Sequence, residues 1–177
     1  MLFTCYTGDE NGRRGAQFMG KKQTVKVSVN SVQFGDEAMP PYETQTMGVG
    51  ELEEKGTGYI LSYDEAVTED ENKEEGTRVK LHIGESRVMM MREGIYSTMM
   101  VFDRRHPYEG LYRTPFGEMP IHIQTVTAET VCGPDRGKIH LEYELSIGGS
   151  SATDRVVNIY YFLEDDEQEH ENAELPE

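Results

Sequence analysis

One segment restricts the fold more than any other. Ile139, Leu141, Tyr143, Leu145 and Ile147 alternate with His140, Glu142, Glu144 and Ser146. Successive side chains of a strand point to opposite faces, so a period of two marks a strand with one face on a core and the other in water. A helix would scatter the same apolar residues around its circumference. The period recurs in Val25, Val27 and Val29, in Val79, Leu81 and Ile83, and in Met119, Ile121 and Ile123.

Between these anchors the chain reads as strands and turns. After Val29 the apolar phase slips to Val32 and Phe34, which predicts a bulge near Asn30. Gly48 and Gly50, inside a strand pattern from Glu43 to Glu53, predict the sharp bend of a closed sheet. Thr57 to Tyr63 is β-rich, and Asp64 to Glu75 is an acidic loop. Gly84-Glu85 and Glu93-Gly94 turn the chain into Arg87–Arg92 and Tyr96–Phe102. A charged loop, Asp103 to Tyr108, precedes a short strand from Leu111 to Thr114. A long strand from Pro115 to Val131 slips near Gln124, CGPDRG at 132–137 is a turn, and a final strand runs from Arg155 to Leu163. The reading is all-β: a single closed antiparallel meander barrel of about 8–10 strands, since closure removes exposed edges.

At 177 residues the chain is one domain. Residues 1–22 read as a disordered extension with Met19 as the expected start, 23–163 as the barrel, and 164–177 as a disordered acidic tail. No apolar run approaches the ~20 residues of a membrane span, and polar residues follow Met1-Leu2-Phe3 directly. Cys5 and Cys132 have no CxxC partner, so reduced thiols and a cytoplasmic location are expected. The net charge is −16; with the eight acids of 164–177 set aside from the 33, 25 remain against 17 bases. An acidic body without a basic stripe argues against nucleic acid and against anionic membrane surfaces as partners.

GTGYILSY, GTRVKLHI, VMMMREG, STMMVF, LYRTPFG and IHLEYEL follow one another at set spacings between 24 and 163. In these the sequence resembles the YwiB-like family of bacterial proteins, mainly from Firmicutes, and LYRTPFG after Arg105-His106 is the most specific element. The resemblance implies a lipocalin-like (calycin-type) β-barrel and implies no established activity.

Four constellations bear on chemistry. Glu51, Glu53 and Lys55 match ExExK, the signature of metal-dependent tunnel-barrel triphosphate hydrolases, with Arg78, Lys80 and His82 as a cationic row. That reading needs a polar interior, whereas the opposite faces, Val79 to Ile83 and Ile139 to Ile147, are apolar and no helix is there to cover them. His82, His122 and His140 all stand opposite apolar residues and face solvent; a turn at Gly133–Arg136 sets His140 across from Glu129, with His122 roughly 20 Å further along at ~3.3 Å per residue. No metal site follows. Cys132 lacks a base within reach, and Ser150-Ser151 lacks a nucleophile elbow. Arg92 shares a face with Val88 and Met90, so it points into the barrel near one end. It is expected to be a structural plug, with the anchoring of an acidic ligand as the rival role. Arg105, His106, Tyr112 and Thr114 are candidates for a polar ligand-binding rim. The expected function is non-enzymatic binding of a small apolar or amphiphilic ligand, with no cofactor. The alternative is an interaction module with a filled barrel, and the hydrolase stands third.

Overall fold

The computed structural model describes residues 21–35, 40–65 and 76–163. Its strands are β1 (Lys22–Gln33), β2 (Tyr42–Lys55), β3 (Gly58–Glu65), β4 (Thr77–Ile83), β5 (Val88–Glu93), β6 (Ser97–Phe102), β7 (Tyr108–Thr114), β8 (Gly117–Cys132), β9 (Arg136–Ile147) and β10 (Thr153–Leu163). Each pairs antiparallel with the next, and β1 also pairs with β10, closing the barrel. Among the described residues no helix is long and apolar enough to cross a membrane. The expected extension lies outside the described residues except for Lys21 and Lys22, and so does the acidic tail. Of the acidic loop only Asp64 and Glu65 are described, both in β3.

Period-two patterning decides which side chains fill the barrel. Val25, Val27, Leu61, Val79, Leu81, Val88, Phe102, Ile123, Ile139, Leu141, Ile159 and Tyr161 are buried to 2% exposure or less and form one cluster. The Phe102 and Tyr143 rings meet at 4.8 Å between centroids, tilted by 58°. Burying an aliphatic or aromatic side chain contributes about 1.5–3 kcal/mol, so this column dominates the stability. Gly56, at φ 63°, forms the tip of the β2–β3 hairpin in a conformation that L side chains rarely adopt.

Two expected irregularities fare differently. The slip near Gln124 is a break in the β8–β9 register between Thr125 and Thr127. The bulge near Asn30 is absent: β1 pairs without interruption with β2 from Lys22 to Gln33 and with β10 from Val25 to Gln33. What changes after Val29 is the chemistry of the interior. Ser31 and Gln33 keep the inward phase, while Val32 stands on the outer face beside its partner Val156.

Antiparallel order sets the β2–β3, β4–β5, β6–β7 and β8–β9 connections at one end. There the buried Tyr161 ring lies over Gly137 of β9 and its hydroxyl donates to the Gly133 carbonyl at 2.8 Å. The opposite end carries the β1–β2, β3–β4, β5–β6, β7–β8 and β9–β10 connections.

Candidate functional site

Toward that second end the inner rows stop being apolar. In β5, Val88 and Met90 are buried inside and Arg92, two residues on, extends the row to the rim. In β10, Tyr161, Ile159 and Val157 point inward and Arg155 continues their row. Ser31 and Gln33 of β1 face Thr44 and Tyr42 of β2 in register, and Gln33 is also paired with Arg155. Arg155 in turn pairs with Tyr143 of β9, and Tyr143 with Thr125 of β8. Where Arg92, Arg155, Gln33 and Tyr143 come together with Tyr63 and Glu65 of β3, they line a cavity of about 220 Å³.

The cavity is layered. Its floor is Val29, Met90, Met100 and Val157; its rim holds Arg92, Arg155 and Glu65. The Arg92 guanidinium donates to the Glu65 carboxylate, and the two side chains remain 37% and 29% exposed. Arg155 differs, because its Nε is buried and has no hydrogen-bond partner among the described residues. The hydroxyl of Tyr143 accepts a hydrogen bond from Arg155. Burial holds that hydroxyl above its usual value, and the charges of both Arg155 and Arg92 pull the other way. One phenol therefore feels two guanidiniums that reach it from β10 and β5. Burial also raises Tyr63 well above its usual value, Glu65 adds to the rise, and Arg92 opposes it.

The candidate residues do not converge. Arg92 lines the cavity. Tyr112 shares its inward row through Thr98, which pairs with both, but packs on the core and stacks on Tyr96 at 6.1 Å without lining the cavity. Thr114 stands at the same end, in the β7–β8 turn, where its hydroxyl donates to the Gly117 carbonyl at 3.0 Å and accepts from the Phe116 amide at 3.1 Å. Arg105 and His106 sit at the opposite end in the loop before β7. Both turn to Asp103, which accepts the Arg105 amide at 2.9 Å and lies 3.3 Å from His106 Nδ1. These bonds hold its carboxyl below the usual range.

Arg155, Glu65 and Tyr143 belong to the site although no sequence candidate named them. The signal for Arg155 was present, since stepping back by two from Tyr161, Ile159 and Val157 lands on it, as the row Val88, Met90 lands on Arg92. Glu65 carried the same signal, two residues on from Leu61 and Tyr63, hidden by its place at the start of a run of acids read as a loop.

The other constellations are surface features. Glu51, Glu53 and Lys55 lie on the outer face of β2, with Leu52 between them buried in the core. Lys22, Arg78 and Lys80 share an outer cleft of about 220 Å³ with the two acids, and Lys22 pairs with Glu53 at 4.0 Å. The tunnel such a hydrolase needs is instead the apolar core. Among the described residues no three His, Cys, Asp or Glu side chains gather as metal ligands would. His140 faces outward across from Glu129 and meets Asn158 at 2.8 Å. Burial pushes the Cys132 thiol up, away from a reactive thiolate.

A closed ten-stranded antiparallel barrel with a charged rim over an apolar floor is the class that this fold and site define. The sequence matches the family described as Domain of unknown function (DUF1934) over residues 25–159, and the chain belongs to that family. Among solved structures it is similar to the crystal structure of ywiB protein from Bacillus subtilis, at 19% identity and a TM-score of 0.70, covering 81% of this chain and 94% of that one. The expected YwiB-like resemblance is thereby borne out, and at this identity the likeness is one of fold. No curated protein matches the sequence.

Proposed function

We propose that the protein is a non-enzymatic binding barrel that takes one small amphiphilic ligand at the end of the barrel where its interior turns polar. The observation that carries this reading is the layering of the cavity, with Val29, Met90, Met100 and Val157 beneath Arg92, Arg155 and Glu65. An apolar floor favours a hydrocarbon tail, and a few placed polar groups fix the orientation of the head. Ligand sites of ordinary size occupy about 300–1,000 Å³, so a cavity of about 220 Å³ fits a short chain rather than a long-chain lipid. The lipocalin-like carrier role and the cytoplasmic setting expected from the sequence form part of this proposal.

Octyl probes of different charge (octanoate, 1-octanol, octylammonium) test it by thermal shift on the full chain. At least one is expected to raise the unfolding temperature, because a ligand that binds only the folded state stabilises it by mass action. Thr46→Trp, which fills the cavity from the β2 wall, is expected to abolish that shift while the protein still folds. No shift with any of the three, or a shift unaffected by Thr46→Trp, would remove the cavity as the site.

A further inference from the structure

We infer that the ligand's head is an anion of the carboxylate class, seated against Arg155, and that Glu65 occupies the neighbouring anion position on Arg92 until the ligand displaces it. The inference rests on the binding reading above and adds the charge of the ligand and an internal competitor for its place.

Three observations carry it. First, among the described residues the charged groups lining the cavity are two guanidiniums and one carboxylate, a positive balance inside a chain of net charge −16. Second, Arg155 Nε is desolvated without a partner among the described residues, although desolvating a donor on a charged group is costly unless an acceptor meets it. A guanidinium presents its N–H donors as a planar fork that matches the two oxygens of a carboxylate, and an alcohol offers one oxygen and no charge. Third, Arg155, Arg92 and Tyr143 line the same cavity, and both guanidinium charges favour the ionised Tyr143 hydroxyl, so an anion at Arg155 lies within the field of both. Arg92 already holds the Glu65 carboxylate, which shows what that position accepts.

The floor lies two residues deeper than the rim on β5 and β10, so the head sits at the rim and the tail points inward. Glu65 is the last residue of β3 and remains 29% exposed, so it can exchange its partner for water without being buried alone. An incoming anion then gains Arg92 as well as Arg155. Glu65 thus raises the concentration of ligand needed to fill the site.

Calorimetric titration of the full chain with octanoate, 1-octanol and octylammonium tests the inference. Octanoate is expected to bind about tenfold or more tighter than 1-octanol, the usual reach of a charge-assisted hydrogen bond, and octylammonium the weakest. Arg155→Met should remove that preference while 1-octanol still binds. Glu65→Gln should tighten octanoate about threefold to tenfold and leave 1-octanol unchanged. Equal binding of octanoate and 1-octanol by the native chain would overturn the anion inference and leave the binding barrel standing. Failure of all three probes would overturn the barrel reading itself. If Arg155→Met does not fold, Glu65→Gln decides: octanoate binding that stays the same or weakens refutes the competitor role.

Discussion

Arg155 and Tyr143 are register partners across the β9–β10 ladder, and both point into the barrel. The phenol engages the guanidinium, yet Nε stays buried and unpaired among the described residues. Arg92 at the same rim is satisfied by Glu65. Two arginines of one cavity are therefore in opposite states, and the contrast is measurable.

Replacing them should move stability in different directions. Arg155→Met removes a desolvated donor and a charge, so the ligand-free protein should hold its stability or gain up to about 1 kcal/mol. Arg92→Met leaves the Glu65 carboxylate without its partner; both are partly solvated, so a loss of about 1 kcal/mol or less is expected. Urea midpoints of the two variants decide this, and a larger loss for Arg155→Met than for Arg92→Met would contradict it.

Face assignment is tested in the middle of β9. Leu141 is 0% exposed, so Leu141→Asp buries an unpaired charge and should prevent folding, at a cost of several kcal/mol. Its neighbour Glu142 faces outward, accepting the Thr127 hydroxyl at 3.0 Å and lying 3.2 Å from His140 Nε2. Glu142→Lys should cost about 1 kcal/mol and leave the β circular dichroism intact. Similar behaviour of the two variants would refute the inside–outside assignment.

Gly137 pairs with Tyr161, and a Cβ added there would meet the Tyr161 ring at 2.4 Å. That ring is 1% exposed and tied to Gly133 by its hydroxyl, so it has no room to retreat. Gly137→Ala should therefore destabilise by about 1–3 kcal/mol, as overpacked sites do. Pairing it with Tyr161→Phe, which keeps the ring, should leave most of that loss in place.

High pH should unfold the barrel through its tyrosines. Burial holds the hydroxyls of Tyr63, Tyr143 and Tyr161 above the ordinary value of 10.0. A group whose folded pKa is raised contributes stability that is complete below its unfolded pKa and is lost as pH rises beyond it. Stability should hold to about pH 9 and fall above about pH 10. Tyrosinate absorbance from these three residues should then appear together with the loss of β circular dichroism. Ionisation of these tyrosines with the barrel intact would contradict the burial assigned to them.

Much of the fold was legible because alternation is local. Ile139 to Ile147 fixed its own two faces, and the turn at Gly133 placed His140 opposite Glu129 without reference to the rest of the chain. The misread bulge at Asn30 has a physical cause. An apolar phase marks the inner face only where the interior is apolar, and the end of β1 lines the polar part of the cavity, where Ser31 and Gln33 stay inside. Val32 and Phe34 then look like the inner row of a slipped strand.

By itself the sequence determined the strands, their hairpin partners, the composition of the core and the inward direction of Arg92, since each follows from side-chain period and turn chemistry over a few residues. Only the tertiary structure decided the site. Pairing β1 with β10 closes the ring and sets Gln33 beside Arg155, far apart in the chain. The ion pair of Glu65 with Arg92 joins residues 27 apart. Period two gives the face a side chain takes, and carries no information on which distant side chains share that face at the same depth. That depends on how the strands close around one axis, a property of the whole barrel.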